Sequence, residues 1–301
     1  MTLTELRYIV TLSQEEHFGR AADRCNVSQP TLSVAVKKLE DELDIALFER
    51  SKTRVSPTPM GEKIVAQAQR VLEQASVIKD IAIMGKDQLG SPLKVGAIFT
   101  IGPYLFPTFI PHLQALAPNM PLYVEEGYTA TLRQRLRKGD LDVIIVALPF
   151  TEADVVTQKL YEEPFVVSLP AKHRLAQQES ISSADLADEN VMLLGPGHCF
   201  RDQIIEACPS ILNKSFNDVT ATAEGSSLET LRHMVASGIG ITVLPKSAAI
   251  SRYKEDALVI RPLADTNATR MVALAWRASF PRHKAVDALR EAILKGQKAP
   301  Q

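Results

Sequence analysis

Cysteines stand at positions 25, 199 and 208 of the 301-residue chain. Two lie close together, since Cys208 follows Cys199 by nine residues in GHCFRDQIIEACP. Cys199 sits where a helix would begin, and a helix N-terminus favours the thiolate, the form of cysteine that attacks electrophiles. His198 and Arg201 flank it and can add positive potential. A free thiol with a pKa of ~8.5 is only about 3% ionised at neutral pH, so these surroundings decide whether the sulfur reacts. Two cysteines this near one another fit a transient redox pair; two unrelated buried thiols are the alternative. His198, Cys199 and Cys208 are too few for the four ligands of a structural zinc site, so neither metal nor cofactor is expected. Cys25 ends a short helix and reads as a structural apolar residue.

Residues 93–99, 122–126, 141–148, 165–169, 191–194, 219–223, 240–244 and 270–276 read as strands. Helical segments alternate with them, near 103–117, 129–138, 182–186, 199–207, 228–237 and 282–294. That alternation predicts a parallel, doubly wound α/β sheet, whose strand-to-helix junctions gather around a crevice. Thr100 follows the first strand, Thr129 opens a helix, and Gly195–Cys199 precedes another. Ser226 with Glu229 has the spacing of a capping box. Small hydroxyls at helix starts suit a small polar ligand, although each alone is also an ordinary N-cap.

The first 58 residues have a different texture. Thr2 with Glu5 predicts a capped helix over 3–14, a short helix follows over 18–25, and Ser28 caps a third running to 43. On that third helix Leu32, Val36, Leu39 and Leu43 share one stripe, and Pro30, Ser33, Val34 and Lys37 lie roughly opposite. Residues 20–38 hold Arg20, Arg24, Lys37 and Lys38 against the single acid Asp23. A polar face on the second helix of a tight helix–turn–helix suits the DNA major groove, with Gln29 and Thr31 at the phosphate-attracting helix start. Arg50, Lys52 and Arg54 add positive charge at the tip of two short strands. Gly19 is an oddity inside the second helix, where glycine costs ~1 kcal/mol relative to alanine. Thr58-Pro59 then opens a long helix on which Ile64, Ala68, Val71, Ala75, Ile78 and Ala82 recur at spacings of 4 and 3. A 3.5-residue period marks a helix that pairs with another helix.

The composition fits a folded soluble protein, with 46% hydrophobic and 23% charged residues. A net charge of -1 excludes a uniformly basic nucleic-acid binder but not a local basic face. No apolar run approaches the ~18 residues of a membrane span. The opening MTLTELRYIV has neither a basic nor a long apolar segment, so no secretory signal and a cytoplasmic location are expected.

AADRCNVSQPTLSVAVKKLEDELDIALFERSKTRVSPTPMGE resembles the winged helix–turn–helix of LysR-type transcriptional regulators. The resemblance continues through the long helix and the α/β region. It implies a DNA-binding domain over 1–58, a dimerisation helix and hinge over 59–88, and an effector domain over 89–301. That domain would have a two-subdomain, periplasmic-binding-protein-like fold, with subdomain I near 89–162 plus 268–301 and subdomain II near 163–267. By the same resemblance Ser28, Gln29, Pro30, Thr31, Ser33 and Lys37 meet a double-stranded operator. Dimers form through 59–85 and pair into tetramers, RNA polymerase is a further partner, and the chain is not an enzyme.

GPYLFP at 102–107, GHCFRDQ at 197–203, Cys208 and SSLETLRHMVASGIGITVLP at 226–245 resemble the peroxide-sensing branch of that family. This implies that Cys199 is peroxidatic and Cys208 resolving, and that Thr100, Thr129 and His198 position hydrogen peroxide. Arg270 would lie near the reduced thiolate. Were 199–208 one helix, its ends would be ~13–14 Å apart along the axis and on opposite faces, whereas a disulfide needs Cα atoms within about 7 Å. Oxidation would then have to unwind the segment. Rival expectations are a metabolite-sensing member with incidental cysteines and a thiol peroxidase enzyme; the N-terminal module argues against the second.

Overall fold

The computed structural model describes residues 1–50, 55–84, 88–211, 224–249, 257–265 and 267–298. Lys52, Arg54 and the expected strand over 219–223 lie outside them, as does the side chain of Arg50. The chain forms two compact units, Met1–Lys86 and Asp87–Gln301.

In the N-terminal unit Thr2 and Glu5 make the expected capping box and start α1, Leu3–Glu15. α2, Phe18–Arg24, is capped by the His17 ring, which accepts from the amides of Gly19 and Arg20. This explains Gly19, since a Cβ there would lie 3.0 Å from that ring. Ser28 caps α3, Gln29–Leu43, by accepting from the amide of Thr31. Leu32, Val36 and Leu39 are fully buried with Leu6, Ile9 and Leu12 of α1. Each such side chain contributes roughly 1.5–3 kcal/mol, which holds the opposite face of α3 outward. Strands β1, Phe48–Arg50, and β2, Val55–Pro57, pair antiparallel.

α4, Pro59–Met84, starts at a Thr58 cap, whose hydroxyl accepts from the Gly61 amide. A side chain at Gly61 would collide with the Leu47 carbonyl. The expected pairing stripe needs correction. Ile64 and Ala68, with Val65 and Leu72, pack on the unit's own core because α1 lies against α4. Val71 and Ile78 stay exposed, so the uncovered part of the stripe begins mid-helix.

The C-terminal unit is α/β with two apolar cores. The first half comprises β3 (Leu93–Ile98), α5 (Gly102–Leu116), β4 (Leu122–Gly127), α6 (Thr129–Lys138) and β5 (Val143–Ala147). β6, Val155–Pro170, carries the chain across. The second half comprises β7 (Val191–Leu194), α7 (Cys199–Ala207), β8 (Glu224–Gly225), α8 (Leu228–Ala236), β9 (Ile241–Pro245), α9 (Lys246–Ala249) and β10 (Leu258–Pro262). β11, Thr269–Arg277, returns to the first half, and α10, His283–Lys298, closes it. Strand order is β4-β3-β5-β11-β6-β9-β7-β8, with β10 also on β6.

The sheet is not parallel throughout, as the alternation had predicted. β3 pairs in parallel with β4 and β5, and β7 with β8 and β9. β11 lies antiparallel to β5 and β6, and β6 antiparallel to β9 and β10. The outgoing and returning crossovers lie side by side, which forces opposite directions. One core forms around Val143, Ile145, Phe109 and Leu289, the other around Phe165, Val243, Phe200 and Leu231. The helix expected near 182–186 is instead a turn, in which Ser182 and Asp185 bond each other and Ser183 binds Asp265.

Candidate functional site

Parallel pairing builds one wall of the site. β3 and β4 run in register, with Ile98 beside Gly127. One residue on, the same register sets Phe99 by Tyr128, whose rings meet edge to face 5.2 Å apart. Two residues on are Thr100 and Thr129, the latter opening α6. The aromatic–threonine step therefore occurs at both junctions, a signal present in the sequence that composition and capping rules did not pick out.

α7 builds the facing wall. Gly197 turns the chain with φ 93°, a conformation that favours glycine. His198 is the N-cap residue, without a side-chain capping bond, and Cys199 is the first helical residue. Ile98, Phe99, Thr100, Gly127, Tyr128, Thr129, Gly197, His198 and Cys199 enclose a pocket with room for roughly one water-sized molecule. The Thr129 hydroxyl is buried there with no hydrogen-bond partner among the described residues. An unsatisfied buried hydroxyl costs ~1–3 kcal/mol, so the pocket favours a small guest that can bond to it.

Burial lowers the pKa of His198, which keeps its imidazole neutral at pH 7. The positive potential expected from His198 is therefore disfavoured, because the ring has lost water that would stabilise its charge. Arg201 is also diverted: it donates to Glu224 at 2.9 Å and to the Leu194 carbonyl at 2.7 Å.

Arg270 is fully buried and supports the pocket from behind. Its Nη1 donates to the Thr100 hydroxyl and its Nη2 to the Thr100 carbonyl, both at 2.9 Å. Its Nε donates to Glu163 at 2.8 Å, and its guanidinium lies 5.2 Å from the centre of the Phe200 ring. Glu163 stands directly across from it in the β6–β11 ladder. Because the Thr100 hydroxyl accepts from Arg270, its own proton is left to donate. The sequence reading missed Glu163, since partners 107 residues apart leave no local pattern.

Cys208 is the C-cap of α7 and is fully buried in the second core. Burial, with a smaller contribution from the negative charge of Asp265, pushes its thiol pKa up to about 11. Cys199 packs partly against the other core. Cys25 is half-buried against the core of the N-terminal unit. The Ser226–Glu229 box does not form: Ser227 caps α8, and Glu229 instead accepts from the Tyr104 hydroxyl at 3.0 Å. Among the described residues no group of three or more His, Cys, Asp or Glu could hold a metal.

On α3, Ser28, Gln29, Pro30, Thr31 and Lys37 are exposed and Ser33 is half-buried. The Ser28 and Thr31 hydroxyls bond each other at 2.7 Å. Three of the four basic residues expected to make a patch are tied down: Arg20 and Arg24 by Glu15, and Lys38 by Glu5. Lys37 makes no ion pair among the described residues.

Residues 3–62 match the model of the bacterial regulatory helix-turn-helix protein, lysR family, and residues 86–298 match the LysR substrate binding domain. The DNA-binding transcriptional dual regulator OxyR of Escherichia coli K12 is 38% identical over 97% of this chain and 95% of its own. Full-length OxyR from Pseudomonas aeruginosa, with a cysteine-to-aspartate substitution, is 58% identical. It covers 97% of this chain and 94% of its own, with a TM-score of 0.76. A cysteine mutant of Corynebacterium glutamicum OxyR, bound to hydrogen peroxide, is 30% identical over 99% of this chain and 92% of its own, with a TM-score of 0.63. Among the described residues no helix is long and apolar enough to cross a membrane.

Proposed function

The chain belongs to the LysR family of bacterial helix-turn-helix regulators, and on that footing we propose that it is a transcription factor switched by hydrogen peroxide through Cys199 and Cys208. The observation that carries this reading is the pocket. Its single thiol, Cys199, shares the pocket with two threonines and a histidine, and the buried Thr129 hydroxyl has no partner among the described residues.

The Thr100 and Thr129 hydroxyls hold the peroxide against the sulfur. The Cys199 thiolate attacks one peroxide oxygen and the O–O bond breaks. Hydroxide leaves and takes a proton, which the His198 ring or the Thr100 hydroxyl lining the pocket can pass, and Cys199 becomes a sulfenic acid. Cys208 then attacks that sulfur as the thiolate, the S–O bond breaks, and a second water departs. The net change is two thiols and hydrogen peroxide to one disulfide and two waters.

Cys208 is slow to begin with. At a pKa of about 11 only about one molecule in ten thousand is thiolate at pH 7. α7 separates the two Cα atoms by roughly 13–14 Å along its axis, against the ~7 Å a disulfide allows. The bridge therefore requires α7 to unwind and Cys208 to leave its core, which turns a two-electron event into a change of shape. Reduction by cellular thiols reverses it. One oxidation per switching event makes the chain a sensor rather than an enzyme.

The readout is an operator in double-stranded DNA, bound by α3 in a cytoplasmic homodimer joined through 59–85. Two dimers assemble into a tetramer, and RNA polymerase is the onward partner. Lys37→Ala is expected to weaken operator binding without unfolding the N-terminal unit, because Lys37 points away from the core stripe. If it meets phosphate, the slope of log affinity against log salt falls by about one. Unchanged affinity in the folded variant would remove α3 as the reading helix.

Mass spectrometry of alkylated protein, before and after stoichiometric peroxide, tests the chemical half. One Cys199–Cys208 disulfide should form with Cys25 still free. Three free thiols after peroxide would return the chain to the metabolite-sensing members of its family.

A further inference from the structure

Four groups in the pocket have roles in the scheme above, but the rings over it have none. Phe99 and Tyr128 are 37% and 42% exposed, whereas Thr100 and His198 beneath them are 2% and 6% exposed. The two rings are thus the solvent side of the pocket and the hydroxyl and imidazole its interior. Tyr128 also packs 4.8 Å from the His198 ring, and Phe99 6.0 Å from it. Three rings from two strand ends and the start of α7 form one cluster, with Tyr128 edge to face with both Phe99 and His198. Both rings line the pocket that holds Cys199, on its more exposed side.

We infer that Phe99 and Tyr128 are the specificity element of this pocket: they admit hydrogen peroxide to Cys199 and turn away hydroperoxides that carry an organic substituent. The inference rests on the peroxide-sensing reading and adds the basis of substrate choice. The interior has room for roughly one water-sized molecule, so hydrogen peroxide needs only a slight outward shift of the rings. An alkyl or aryl hydroperoxide reacts by the same step, giving the sulfenic acid and an alcohol in place of water. Its substituent must occupy the space of a ring, and the rings are held by one another and by His198. Sequence register makes the pair: Ile98 beside Gly127 sets Phe99 by Tyr128, just as it sets Thr100 by Thr129.

The test uses the reduced full-length chain and the rate at which the Cys199 thiol is lost, followed by quench alkylation and mass spectrometry. Hydrogen peroxide and cumene hydroperoxide are compared. The native chain should prefer hydrogen peroxide. Phe99→Ala with Tyr128→Ala should shrink that preference by about tenfold or more, the order of discrimination that a single methylene's worth of steric fit can supply. Tyr128→Phe keeps the ring and should keep the native preference. Using the ratio cancels any change in the reactivity of the sulfur itself. Should the double variant not fold, Phe99→Leu and Tyr128→Leu singly must each lower the ratio. A native chain with no preference, or a double variant with the native ratio, overturns the inference. A native Cys199 inert to hydrogen peroxide overturns the functional reading itself, a separate result.

Discussion

Cys199→Ser is expected to abolish every peroxide-dependent change in operator binding, and Cys208→Ser to leave a sulfenic acid at Cys199 that dimedone traps. The first variant replaces the sulfur by an oxygen that does not attack peroxide at neutral pH, while keeping the first residue of α7 small and polar. The core is disturbed little, because Cys199 is only half-buried and touches that core from its edge. The second leaves the attacking group and the pocket intact but removes the thiol that would displace the sulfenic oxygen. Without that bridge α7 has no covalent reason to unwind, so the operator footprint should shift little or not at all. In the native chain, hydrogen exchange across about 199–209 should rise on oxidation, since the buried backbone of α7 has to open. Operator binding that still responds to peroxide in Cys199→Ser, or a native disulfide formed with unchanged exchange and footprint, would remove the switch.

Arg270→Met should destabilise the C-terminal unit by about 3–5 kcal/mol, the usual consequence of breaking a buried ion pair from one side. The Arg270 side chain has no exposure and that of Glu163 has 5%, with 2.7 Å between their charged atoms. Removing the guanidinium strands a carboxylate whose other oxygen, among the described residues, accepts only the Ser247 amide, at 2.9 Å. It also frees Thr100, which loses two bonds. Adding Glu163→Gln should restore part of the loss, because the stranded charge is gone. Urea unfolding followed by the fluorescence of Trp276, which neighbours this ladder in β11, measures both. A loss under about 1 kcal/mol, or no recovery in the double variant, would mean that the pair is not the clamp its geometry makes it.

Much of the site was legible from local signals. The start of α7 at Cys199 and the start of α6 at Thr129 fall where the caps, the turn glycine and the strand ends put them. The reading face of α3 followed from one apolar stripe, because whichever residues fill the core leave their opposites outside. The expected roles of His198 and Arg201 were less secure. Neighbours in sequence do not act as free charges once one is desolvated and the other is bound to Glu224. Ser226 and Ser227 are equally good caps by type, and only the helix's final position on β8 and β9 selects the second. The first half of β6 was missed because VVTQKLYEEP is mostly half-buried or exposed and gains its strand geometry from pairing with β11.

By itself the sequence determined the order of units, the helix starts and the residue types that can do redox and DNA chemistry, because caps, periodicity and thiol reactivity act within a few residues. Only the tertiary structure decided sheet direction, the share of α4 kept for its own core, the Glu163–Arg270–Thr100 clamp and the pair of aromatic rings in the Cys199 pocket. Those depend on contacts between segments far apart in the chain, where packing and desolvation outweigh local preference.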